Sequence, residues 1–156
     1  MFTRILVPID GSNTAFTAAE FAIKFAEEQN ASITLLYVIN DRSLEKLSGV
    51  AEKSREELIS QFRKQGKQFF HAAEKIAQNL GFNIKFDEVT LVGDPGEEII
   101  NYVSRNSHDL IIMPVKDPEH SSKFSLGHVT ARVIQSGGVP VLSIPFTGQP
   151  EERQIF

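Results

Sequence analysis

The residues whose types and spacing could do chemistry are concentrated between Asp109 and Thr130, in the run Asp109-Leu-Ile-Ile-Met-Pro-Val-Lys-Asp-Pro-Glu-His-Ser-Ser-Lys-Phe-Ser-Leu-Gly-His-Val-Thr130. The run reads as a buried strand, a loop, and a helix opening at Gly127. In an α/β protein the free backbone N–H groups at such a helix start can receive an anion, commonly a phosphate. A loop that cradles phosphate favours glycine, which permits positive φ and close backbone approach. This loop instead carries Pro114 and Asp117. Proline fixes φ and removes a donor. Asp117 brings a negative charge towards negative phosphates. At about 4 Å that repulsion is ~1 kcal/mol per charge in water and up to ~4 kcal/mol at an effective dielectric of about 20. Lys116 offsets part of it.

Other polar residues follow apolar runs in the same way: Asp10, Gly11 and Ser12 after the first, Asn40 and Asp41 after the second. Asp10 has two readings. It accepts hydrogen bonds from a ribose hydroxyl or a base amino group, or it only caps the following helix through a turn with Gly11 and Ser12. Gly93-Asp94-Pro95-Gly96 reads as a turn and helix cap rather than a phosphate loop: Asp94 suits the N-cap and Pro95 the first helical position. The four histidines, His71, His108, His120 and His128, lack metal-ligand spacing, and there is no cysteine. His128, Ser125 and Asp117 make a poor hydrolytic triad, because no G-x-S-x-G elbow is present. A metal site and a catalytic residue are therefore not expected.

The elements that must position these residues alternate. Arg4-Ile-Leu-Val-Pro-Ile-Asp10 and Ile33–Ile39 are continuous apolar runs, the signature of strands buried on both faces. Pro8 marks the C-terminal end of the first. Between them, Thr14 to Gln29 places Ala15, Ala18, Ala19, Ala22, Ile23 and Ala26 at helical spacing. Residues 41–53 are polar and predict a surface segment with at most a short helix. Glu52 to Leu80 predicts a long helix, with Gly66 a weak point costing about 1 kcal/mol relative to alanine and Gly81 closing it. Asn83 to Leu91 alternates partly and predicts a more exposed strand. A helix follows from Asp94 to about Ser107. Asp109–Met113 is the fourth strand, Leu126–Ser136 the next helix, and Gly137–Pro145 the fifth strand, bounded by proline. This order implies a parallel sheet with right-handed crossovers and helices on both faces. Ligands of such sheets sit beyond the C-terminal strand ends, where the strand order reverses.

Composition limits the classes. A chain of 156 residues, 41% hydrophobic, fits one domain with a real core. A net charge of -4 argues against a dedicated nucleic-acid binder. No apolar run is long enough to cross a membrane, and the N-terminus lacks a signal-peptide pattern. The expected location is the cytoplasm.

Taken together, these motifs resemble the universal stress protein (UspA-like) family over residues 1–146, with 147–156 left as a polar tail. The resemblance rests on Arg4–Ser12, Leu35-Leu-Tyr-Val38, Gly93-Asp-Pro-Gly-Glu-Glu-Ile99, Asp109–Met113 and Gly138-Val-Pro-Val-Leu142 in this order and spacing. It implies an adenine-nucleotide alpha-hydrolase-like fold: a five-stranded parallel open sheet in the order 3-2-1-4-5, helices on both faces, and a homodimer paired through the fifth strand. ATP-binding members carry Gly-x-x-Gly, nine residues, then Gly-Ser or Gly-Thr. Here Pro114 and Asp117 replace the first two glycines, Gly127 is kept, and His128 replaces the hydroxyl residue. Pro8, Asp10, Val38 and Met113 match the positions around the adenosine end. With Gly127, His128 and Val129 they make a candidate adenine-nucleotide pocket.

The resulting expectation is a non-enzymatic stress-response protein with weak or absent ATP binding. Two alternatives stand beside it. One is a sensor of ATP, AMP or adenosine. The other is a dimeric interaction module acting on a protein partner through its dimer surface or the 41–53 segment. Val139, Val141, Leu142 and Ile144 form an apolar final strand, an edge that needs a cover.

Overall fold

The run Ile5-Leu-Val7 has no polar side chain to turn towards water, so it is stable only where both faces are covered, and it lies at the centre of a sheet. In the computed structural model, which describes residues 1–116 and 127–146, Ile5, Leu6 and Val7 are fully buried. The elements in chain order are β1 (Arg4–Pro8), α1 (Asn13–Gln29), β2 (Ser32–Asn40), α2 (Asp41–Val50), α3 (Arg55–Asn79), β3 (Phe86–Gly93), α4 (Pro95–Arg105), β4 (Leu110–Pro114), α5 (His128–Ser136) and β5 (Val141–Ile144). The five strands form one sheet in the order β3-β2-β1-β4-β5. Every pairing is parallel, in the register Ile5↔Ile33, Ile5↔Leu110, Leu36↔Val89 and Met113↔Ser143. This is the predicted topology. Residues 117–126 and 147–156, including Asp117, His120, Ser125 and the C-terminal tail, lie outside the described residues.

Two cores follow from the alternation of side chains along the strands. Ile5, Val7, Ile33, Leu35 and Tyr37 pack with α1 and α3 on one face. Leu6, Leu36, Ile111 and Met113 pack with Ile99 and Val103 of α4 and Val133 of α5 on the other. The alanines of α1 are buried and let the helix lie close to the sheet. Sharp caps end the helices. Ser12 accepts from Ala15 N, Asn40 from Arg42 N and Ser43 N, Ser54 from Glu57 N, and Asp94 from Glu97 N. At the opposite end of the sheet, Asp109 clasps β1 to β4 by accepting from Thr3 N at 2.8 Å, Thr3 Oγ1 at 2.9 Å and Arg4 N at 3.2 Å.

The structure differs from the sequence reading in two useful places. Residues 41–50 make a full ten-residue helix rather than a mostly irregular segment. The Asn40 cap starts it, and Leu44, which is fully buried, fastens it to the α1–α3 core. Gly66 is a packing requirement rather than a weak point. A Cβ there would stand 2.5 Å from Cδ2 of Tyr37, so only glycine lets α3 descend onto the Tyr37 ring.

Two predictions follow. In an exposed helix, Gly→Ala stabilises by about 1 kcal/mol. Here overpacking of about 1–3 kcal/mol opposes that gain, so Gly66→Ala should lower the unfolding free energy by up to about 2 kcal/mol in urea denaturation, and a gain would contradict the packing. The second concerns Glu74 on α3, which meets Glu88 on β3. Burial first, then the hydrogen bond that its protonated carboxyl donates to Glu88 and the charge of Glu88, push the Glu74 carboxyl up from 4.5 to about 7. A raised folded-state value contributes stability that is complete below about pH 4.5 and is lost as pH rises through about 7. Glu74→Gln, which cannot ionise, should therefore gain stability over the unmodified chain above pH 7, measured by thermal melts across pH, with the advantage vanishing in acid.

Candidate functional site

β1 connects to β2 on one side, and its other neighbour is β4. The helices that follow the strands therefore diverge at this point and leave a crevice beyond the strand ends. A cavity of about 360 Å³ occupies it. Its walls come from the ends of β1 (Pro8, with Ile9 and Asp10 beyond), β2 (Val38, Ile39, Asn40) and β4 (Met113, Pro114). The first turns of α1 (Ala15), α2 (Ser43), α4 (Pro95) and α5 (Val129, Thr130) add to them, with Phe62 of α3.

Of the residues singled out in the sequence, Pro8, Asp10, Val38, Met113 and Val129 all line this cavity. Gly127 and His128 sit at the start of α5, as N-cap and first helical residue, but are not among the lining residues. Residues that sequence reasoning did not select also line it: Tyr37, Ser43, Phe62, Pro95 and Thr130. The signal for Tyr37 was a polar-tipped ring near the C-terminal end of an otherwise apolar inner strand. Nothing local in the sequence points to Phe62, whose place depends on how α3 packs.

Asp10 builds the turn of the second reading. Its Oδ1 accepts from Ser12 N at 3.0 Å and from Ser12 Oγ at 2.6 Å, which builds the turn into α1. Ser12 Oγ in turn accepts from Ala15 N at 3.1 Å. The second oxygen, Oδ2, is bonded to no group among the described residues, and Asp10 lines the cavity. Gly11 between them has φ +85°, and a Cβ there would overlap the Phe69 ring at 2.3 Å. Glycine is thus required twice over, by conformation and by the approach of α3.

The phosphate side is built differently. Pro114 lines the cavity and offers no N–H. The amide of Gly127, the one glycine kept from the phosphate pattern, donates to Val115 O at 3.1 Å. Thr130 Oγ1 donates to Pro114 O at 2.8 Å. Both ends of the segment are thus tied to each other, and these donors are engaged within the chain. The start of α4 offers little more. Pro95 has no amide hydrogen, and Arg132 is held by Asp94 at 2.8 Å and Glu97 at 3.0 Å. Gly93-Asp94-Pro95-Gly96 is a turn and cap, as read from the sequence.

Among the described residues that line the cavity, Asp10 carries the one charged side chain. Its charge is felt by Tyr37, whose phenol is held above its ordinary pKa by burial and then by Asp10. No group of three or more metal-ligating side chains occurs among the described residues. The arrangement can enclose a small, largely apolar ring system and accept hydrogen bonds from it at one end.

Residues 1–145 match the model of the universal stress protein family. Universal stress protein MJ0531 of Methanocaldococcus jannaschii is 30% identical, the match spanning 92% of this chain and 82% of that relative. The solved structure of hypothetical protein MJ0577 of the same organism superposes with a TM-score of 0.78 at 27% identity, covering 96% of this chain and 99% of that one. An Arabidopsis thaliana family protein solved with AMP bound shares the fold, with a TM-score of 0.62 at 20% identity over 93% of this chain and 92% of its own.

Proposed function

The chain belongs to the universal stress protein family, and we propose that within it this protein is a non-enzymatic stress-response protein with weak or absent ATP binding. The observation that carries the proposal is the phosphate side of the cavity, where Pro114 lacks a donor and the Gly127 amide is engaged by Val115 O. An ATP bound here would place several negative charges near donors already in use. Asp117, outside the described residues, adds a like charge by sequence.

A second reading draws support from the other end of the cavity. Pro8, Asp10, Val38, Met113 and Val129 come together around an open carboxylate oxygen. We infer that this end takes adenosine or AMP in preference to ATP, a reading to which the AMP-bound Arabidopsis relative lends weight. Gly127 and His128 border the site at the start of α5. Under this reading the protein reports on phosphate-poor adenine compounds.

A homodimer through β5 is also proposed. Among the described residues β5 is hydrogen-bonded to β4 on one side only, and its Val141, Leu142 and Ile144 are half-buried. An open edge of this kind is a template for a second strand. The family domain is proposed to span residues 1–146. No helix among the described residues is long and apolar enough to cross a membrane. The cytoplasm is the proposed location. A protein partner acting through the dimer surface or α2 remains the third reading, supported by Leu47 and Val50, which are exposed on α2.

Two measurements test these proposals. Calorimetric titrations should give adenosine and AMP tighter than ATP; sub-micromolar ATP affinity overturns the weak-binding proposal. Light scattering at micromolar concentration should give twice the chain mass of 17.4 kDa, and a monomeric mass contradicts pairing through β5.

A further inference from the structure

We propose that Tyr37 is a ligand-binding residue of the cavity: its phenol O–H and the Asp10 carboxylate together take one hydroxyl of a neutral, polyol-bearing ligand, that hydroxyl accepting from Tyr37 and donating to Asp10. The proposal deepens the phosphate-poor adenine reading and rests on it, with the ribose diol of a nucleoside as the polyol.

Tyr37 is only 7% exposed as a residue, and its hydroxyl makes no hydrogen bond to any described residue. The hydroxyl is not among the buried unpaired atoms, so it keeps access from outside the packed core, where a ligand of the cavity that Tyr37 lines can supply the partner a largely buried phenol ordinarily finds. The ring has no freedom to swing away and find one. Gly66 is pressed against its edge, and Phe69 meets it edge-on with ring centroids 5.5 Å apart. The residue lines the cavity together with Asp10.

Asp10 completes the pair. Ser12 holds its Oδ1 at 2.6 Å and so fixes the carboxylate in place, leaving Oδ2 to the cavity. The two groups are near enough for the Asp10 charge to add to burial in keeping the Tyr37 phenol protonated, and so a donor, through the neutral range. They are not bonded to each other. A fixed donor and a fixed acceptor therefore share one opening.

The chemistry of the missing group follows from what satisfies both. A phosphate or carboxylate accepts from Tyr37 but is repelled by Asp10. An ammonium satisfies Asp10 and leaves the phenol unpaired. A carbonyl satisfies the phenol and leaves the carboxylate unpaired. A hydroxyl is both donor and acceptor and answers each.

The chain has two tyrosines and no tryptophan. Tyr102→Phe therefore leaves Tyr37 as the sole near-ultraviolet reporter of its kind. In that protein, adenosine should shift the tyrosine absorption band as it binds. Adding Tyr37→Phe, which keeps the ring, should weaken adenosine about tenfold. It should leave unchanged the affinity for whichever of 2′-deoxyadenosine and 3′-deoxyadenosine lacks the bridging hydroxyl. Adenosine binding with no spectral shift and no loss in the double variant overturns the role of Tyr37 and leaves the nucleoside reading standing. No binding of adenosine to the unmodified chain overturns both.

Discussion

Parallel pairing on both sides of a strand with no polar side chains is the constraint on which the rest of this molecule depends. Ile5, Leu6 and Val7 are buried on both faces, so β1 must have β2 and β4 as neighbours and helices above and below. Connections between parallel strands are right-handed, so α1 and α3 cover one face and α4 and α5 the other. The crevice between β1 and β4 is the geometrical remainder of that arrangement, and the cavity occupies it. Pro8 and Pro114, which end the two strands, follow from the same constraint. A proline can stand where the ladder stops and the crevice begins.

The cavity is asymmetric in its electrostatics. One side offers a carboxylate oxygen of Asp10, held in place by Ser12. The other offers a loop whose surviving glycine amide and nearby threonine hydroxyl are turned inwards, to Val115 O and Pro114 O. Those two donors are therefore not available to an anion, and a phosphate held without donors loses its hydration with no return. A universal stress protein fold thus keeps the crevice that its strand order makes, while the phosphate grip is altered at Pro114 and at the engaged Gly127 amide. The two properties separate because the crevice depends on strand order, whereas the grip depends on the backbone conformation of a few loop residues.

Much of this was legible in the chain itself. Strand and helix types followed from apolar runs and helical spacing. The cap at Asp94 and the close of β1 at Pro8 followed from residue type. Five of the seven site candidates, Pro8, Asp10, Val38, Met113 and Val129, line the cavity, because residues at C-terminal strand ends of a parallel sheet share one edge. Helix α2 was under-read because its polar surface hides one decisive contact, the buried Leu44. Gly66 was misread as a weakness because propensity measures an isolated helix, and the ring that demands glycine lies on β2, far along the chain.

Sequence by itself determined the class of fold, the order of its elements, the end of the sheet where a ligand would sit, and the loss of two glycines from the phosphate pattern. These are properties of residue type and local period, which need no knowledge of distant neighbours. Only the tertiary structure decided that Phe62 and Ser43 line the cavity, that Gly127 turns its amide to Val115, and that the Tyr37 ring packs against Gly66 and Phe69. Each of those depends on how a helix descends onto the sheet or how two loop ends meet. Such contacts join residues far apart in the chain, so no local pattern of residue types encodes them.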